Sequence, residues 1–225
     1  MSSLNLPAAV QAIKDLVLSP NYPCVPAVRS FERGEYMVEL CTGEYGSGKA
    51  AAQLAKALRS FRARQKRTNE PFLSIYAVFE KIEGMSEAEH DRRFWDELSH
   101  LGAQSDAQWD PLFDADPKSK RFCFSFDGEA FFVVGLHAGS ARKARQFPYP
   151  AIVFNLYSQF EDLATKGAYD AVVRTNRKRE MAFQGNLNPM VEKFADSWEA
   201  IAFSGMAHNE NWVCPYQHLG NSAHA

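Results

Sequence analysis

The segment Arg121–Gln159 reads RFCFSFDGEAFFVVGLHAGSARKARQFPYPAIVFNLYSQ, and its reading decides the fold. An alternating run reaches Asp127-Gly128, and a second apolar run follows as far as Gly135-Leu136-His137. An Asp-Gly pair between two strand-like runs is the strongest short-range sign of a β-hairpin. The hairpin would deliver His137, Ser140 and the cations Arg142, Lys143 and Arg145 to the end of a sheet. A loop carried by a rigid scaffold is where binding and catalysis concentrate. Residues 151–155 (AIVFN) then read as a further strand.

Outward from this segment the periodicities alternate. Residues 6–18 place Ala9, Ile13, Leu16 and Val17 on one side of a helix. Residues 36–41 (YMVELC) read as a strand, and 49–66 as a helix with Leu54, Ala55, Leu58 and Phe61 at helical spacing. Cations cluster toward the end of that helix, where the dipole favours them. Residues 72–80 form a strand. Ser86, with Glu89 three residues on, caps a helix running to about His100. Residues 103–120 read as a surface loop, and helices fill 156–166, 168–182 and 189–201. The pattern implies one α+β domain over residues 1–225, with a mixed or antiparallel central sheet flanked by helices.

Composition bounds the function classes. The chain has 225 residues, 46% of them hydrophobic, with 17 phenylalanines, enough for a substantial core. A net charge of −2 gives no electrostatic footprint for nucleic acid. No apolar run approaches the roughly 18–20 residues of a membrane span, and the N-terminal residues lack the pattern of a secretory signal. Cys24, Cys41, Cys123 and Cys214 are far apart, without zinc-ligand spacing. A reduced, cytoplasmic protein with no membrane or nucleic-acid partner is the expectation.

Three groups of residues carry chemistry. Gly43–Lys49 follows a strand and opens a helix, the context of a phosphate-binding loop. Ala50 stands where Ser or Thr would hold magnesium, so a glycine-rich structural turn is the first reading and nucleotide binding the second. Cys24 and Cys214 each neighbour a proline on irregular backbone; each is either a buried small hydrophobe or a soft ligand for haem iron. His137 at a strand end is either a hydrogen-bonded structural residue or a ligand. The flanking Arg142 and Arg145 suit carboxylates, through charge-assisted hydrogen bonds.

The ordered set Gly135-Leu136-His137, Ser140, Arg142, Ala144-Arg145 and Val153-Phe154-Asn155 resembles the YqcI/YcgG family. Gln159-Phe160, Gly167, Tyr169, Arg177, Arg179, Gln184-Gly185, Asn188-Pro189-Met190 and Trp212-x-Cys214-Pro215-Tyr216 extend the resemblance, which covers about residues 20–217, including Pro23-Cys24-Val25. Ala138 stands where that family usually has proline, Ala141 replaces a common serine, and Glu180 replaces an aspartate. The resemblance implies a haem b (iron) enzyme that N-hydroxylates a small amine or a guanidine-bearing amino acid such as arginine. It would draw on an electron donor or peroxide, and it allows a homodimer. His137 is then the expected iron ligand, with Cys214 the alternative, and Arg142 and Arg145 the propionate partners. Arg177, Arg179, Glu180, Gln184 and Asn188 are the expected substrate contacts; the two arginine pairs can also exchange roles. A non-catalytic haem-binding or haem-sensing protein is the rival reading.

Overall fold

The computed structural model describes residues 4–194 and 198–219. Five strands form one sheet in the order β1-β2-β5-β4-β3. They are β1 (Tyr36–Leu40), β2 (Ser74–Val78), β3 (Ser125–Phe126), β4 (Glu129–Leu136) and β5 (Ala151–Leu156). β1 and β2 run parallel; the remaining neighbours are antiparallel, so the sheet is mixed. The expected hairpin turn is present. Asp127 and Gly128 both adopt left-handed backbone, at φ 50° and 81°, the geometry of a type I′ turn. β3 is only two residues long, and the Phe131 amide extends the pairing by donating to the Phe124 carbonyl at 2.8 Å.

Period-two alternation gives the sheet two apolar faces. Ile75, Ala77, Val133, Ile152 and Phe154 share one face with α3 (Ala51–Thr68) and α4 (Glu87–Gly102). Tyr76, Val78, Leu136, Ala151 and Val153 pack on the other against α1 (Leu6–Val17) and α2 (Val25–Arg33). The cap of α4 forms as its sequence implies, Ser86 accepting the Glu89 amide at 3.1 Å. α2 was not expected. Pro23 and Pro26 look like breakers, yet Pro26 lies in the first turn, where no amide is needed, and Gly34 closes the helix in left-handed backbone.

Beyond β5 come α5 (Ser158–Thr165), α6 (Tyr169–Gln184) and α7 (Pro189–Phe194), then a 3-10 turn at Glu199–Ala202. The helix expected over 189–201 is thus two elements, and residues 195–197 lie outside the described residues. Along the open edge of β1, Arg64 donates to the carbonyls of Gly34 and Tyr36, both at 3.1 Å, and Gln53 to that of Leu40 at 2.8 Å.

The Gly43–Lys49 loop explains its glycines by packing. The Gly46 amide donates to the Glu97 carboxylate of α4 at 2.9 Å, and Gly48 faces the same group. A buried carboxylate of the protein itself therefore sits where a phosphate-binding loop would present free amides. A Cβ at Gly48 would lie 2.4 Å from the His100 ring, and φ there is 72°; at Gly46 it would lie 2.8 Å from the Arg93 Cα. Lys49 is exposed. Gly48→Ala should lower stability in urea melts by about 2 kcal/mol or more, whereas Lys49→Ala should leave the midpoint unchanged.

Candidate functional site

His137 is placed by the backbone on both sides. Its amide donates to the Arg145 carbonyl at 3.0 Å, and its carbonyl accepts from Phe147 at 3.2 Å. The nine residues between leave β4 and return to it, with the short 3-10 turn Lys143–Arg145 inside the loop. Residues 133, 135 and 137 share the parity that faces α4, so the ring is carried into the interior. It is 1% exposed, and neither ring nitrogen has a hydrogen-bond partner. Burial first, and the Arg145 charge second, pull its pKa down to about 4, so the ring is neutral at pH 7.

A second imidazole lies against it. His90, on α4, is fully buried, and its ring stacks on His137 with centroids 4.1 Å apart and planes 19° apart. The Tyr45 hydroxyl is 3.4 Å from its Nδ1. Its Nε2 faces the Ser204 carbonyl, on a side that favours a proton, but without hydrogen-bond geometry. Gly135 lies under the ring: a Cβ there would be 2.6 Å from Nε2 and 2.7 Å from the Ser204 carbonyl oxygen. Next on α4, Asp91 accepts from the Ser204 hydroxyl and lies 3.3 Å from His208 Nε2.

His90 is absent from the residues that the sequence singles out. The signal was there: His90, Phe94, Leu98 and Leu101 follow helical spacing, so the buried stripe of α4 contains one histidine.

The flanking arginines take separate positions. Arg145 is 9% exposed and donates to the carbonyls of Ala202 and Phe203, both at 2.7 Å, and of Gly135 at 3.4 Å. The guanidinium ties β4 to the segment after α7. Arg142 donates to Glu180 at 2.6 Å and to Asn186. Gln184 accepts the Lys143 amide at 2.8 Å and donates to the Ala141 carbonyl at 3.2 Å. Asn188 accepts the Met190 amide. Arg179 reaches the Tyr22 carbonyl at 3.4 Å, and Arg177 is exposed. Glu180 and Gln184 here hold the histidine loop from α6, and Asn188 caps a turn. Cys214 is buried, and burial pushes its thiol up to about 12; it remains a protonated thiol near neutral pH. Cys24 caps α2 with its thiol also raised by burial.

A cleft of about 250 Å³ opens beside the histidine loop, between Lys81–Met85 on one side and Ala138, Gly139, Pro148 and Pro150 on the other. The Nδ1–Cε1 edge of His137 faces Gly139, lying 3.6–3.7 Å from where a Cβ there would sit. At the rim Lys81 and Glu83 are ion-paired at 2.7 Å. None of the expected substrate contacts lines this cleft. Among the described residues no three His, Cys, Asp or Glu side chains converge as a metal-holding group.

These features sit in a sequence with known relatives. The model of the YqcI/YcgG family matches residues 13–217. The chain belongs to that family. A YcgG protein of Bacillus subtilis is 26% identical over 211 residues, covering 89% of this chain and 82% of the relative. A YqcI protein of the same organism is 26% identical over 153 residues, 66% of this chain and 59% of the relative. Both bear the description "uncharacterized". No solved structure matches the family member described above. No helix among the described residues is long and apolar enough to cross a membrane.

Two outcomes follow from the electrostatics of these buried groups. The folded pKa of His137 lies below its unfolded value of about 6.5, so between about 6.5 and 4 the unfolded chain binds more protons. Its contribution to stability is lost as pH falls through that window. Glu199 works in the opposite sense: burial raises it to about 7, so its contribution is lost as pH rises from its unfolded value toward 7. Urea melts across pH 4–8 should show His137→Gln gaining relative to the wild type below pH 6.5, and Glu199→Gln gaining toward pH 7. Arg145→Leu should cost about 3 kcal/mol or more, since it strands buried carbonyls; Arg142→Ala should cost less.

Proposed function

We propose that this chain is a haem-dependent N-oxygenase acting on a small amine or a guanidine-bearing amino acid. The observation that carries the reading is His137: a neutral, buried imidazole with both nitrogens unpartnered, in the segment that marks the family. A neutral ring with a free lone pair is the chemical form that ligates iron. One such ligand suffices for iron carried by a macrocycle, so the lack of a three-residue cluster does not count against it.

The donor chemistry fits haem, and the space sets a condition. A cleft of about 250 Å³ lies below the roughly 300–1,000 Å³ of ordinary small-molecule sites. Haem binding on this reading therefore goes with parting of Lys81–Met85 from Ala138–Pro150. The second of these is tied to the start of α4 by the Ala141 amide, which donates to Glu87 at 3.1 Å. His137 would hold the iron, and Arg142, once released from Glu180, is the cation within reach of a propionate. Bound haem would supply activation of dioxygen or peroxide, with electrons from a donor or from the peroxide itself. The chain's own part is to keep His137 unprotonated, to exclude water with Ile82, Met85, Pro148 and Pro150, and to offer Lys81 and Glu83 to a substrate's carboxylate and cation. The rival reading, haem binding without turnover, shares every residue of this site and differs only in product.

Haem-reconstituted protein should show a Soret band that His137→Ala abolishes or strongly shifts and Cys214→Ser leaves nearly unchanged. Hydrogen exchange should rise at residues 81–85 and 138–141 on loading, and stay constant in β2 and β5. Incubation with arginine-like amino acids, a reductant and oxygen, or peroxide, should give a product one oxygen heavier. Secure haem binding with no such product across a broad amine and guanidine panel would favour sensing; no haem binding at all would end both readings.

A further inference from the structure

We infer that His90 is the positioning residue for His137: its ring face fixes the plane in which His137 presents its Nδ1–Cε1 edge toward Gly139, which lines the cleft. The inference rests on the reading of His137 as the working side chain, and its first measurement needs no haem, so the two can fail separately.

His90, a fully buried imidazole whose Nε2 has no hydrogen-bond partner, is an expensive way to fill a core position. Leucine, of similar volume, would fill it without a polar atom to desolvate, and the neighbours on that helix face, Phe94 and Leu98, are apolar. The surroundings are shaped to the ring rather than to volume alone. Gly135 clears space under Nε2, although a glycine inside a strand weakens it. Tyr45 stacks on the outer face at 5.5 Å and points its hydroxyl at Nδ1, so the ring is held between Tyr45 and His137.

His137 itself has no hydrogen bond to set its orientation. A ligand imidazole ordinarily takes its orientation from an acceptor on its second nitrogen. Here that acceptor is missing, and the flat contact with His90 is the constraint that remains. Rotating His137 out of that plane would drive its edge into His90, so the stacked contact holds the plane in which the ring meets Gly139. Local rules broken at a cost in stability, without a packing gain, mark functional positions.

His90→Leu separates positioning from core filling, because the two predict opposite signs for stability. The variant should melt at the same temperature as the wild type or higher, while the ring ¹³C signals of His137 relax as those of a mobile side chain. On haem loading its affinity should fall about 10–100-fold, the usual loss when an orienting neighbour is removed. His90→Phe, which restores a flat face, should recover the rigid signals. Gly135→Ala, which leaves both histidines in place and pushes His90 from below, should disturb the His137 signals as His90→Leu does, and keeps the test open should that variant fail to fold. Unchanged His137 signals in the folded variants would overturn the proposal. A lower melting temperature in His90→Leu with those signals intact would make His90 a core residue and nothing more.

Discussion

Much of this molecule hangs on one buried guanidinium. Arg145 carries its charge into the interior and meets backbone carbonyls of β4 and of the segment after α7 where an ion pair would be the usual partner. Burial lowers its pKa only to about 10, so the charge is retained near neutral pH. Three consequences meet there. The chain after α7 is bound to the sheet, the loop that begins at His137 is anchored at its return, and the nearby positive charge helps to keep His137 unprotonated. Gly205 takes its place in the same arrangement: a Cβ there would lie 2.7 Å from Arg145 Cδ.

The fold was largely legible because its signals are local. Asp127-Gly128, the alternation of β4 and the Ser86 cap each fix an element with a few neighbouring residues. The mixed sheet follows from helices interposed between some strands and a tight turn between others. Two features resisted. α2 hides behind two prolines that read as breakers until one of them is seen to occupy a first turn. The apolar spacing after Asn188 does not distinguish one long helix from α7 followed by the 3-10 turn Glu199–Ala202.

The site was legible in its centre and not in its surroundings. His137 stood out as a polar residue ending an apolar strand. The partners of its neighbours did not, because they come from α6 and from beyond α7, some 40 to 60 residues away in sequence. Arginine looks the same in a sequence whether it will hold a ligand's carboxylate or three carbonyls of its own backbone. The glycine loop makes the same point in reverse. Its amides are as well arranged for an anion as the pattern implied, and the anion is Glu97, on a helix about fifty residues later.

The side chains laid along β1 bear on how this protein behaves in a crowd. An open strand edge is a row of unanswered donors and acceptors on which another chain can crystallise its own strand, the first step toward fibrils. Arg64 and Gln53 already occupy carbonyls along that row, and they place a charge and an amide in the path of an incoming backbone. At the opposite margin β3 covers only the start of β4, and beyond it the Gly135 amide donates to the Phe203 carbonyl at 2.8 Å. A chain with 17 phenylalanines has much to lose from intermolecular pairing. Occupying groups on both margins of its sheet helps it to carry that apolar load at the concentrations of a working protein.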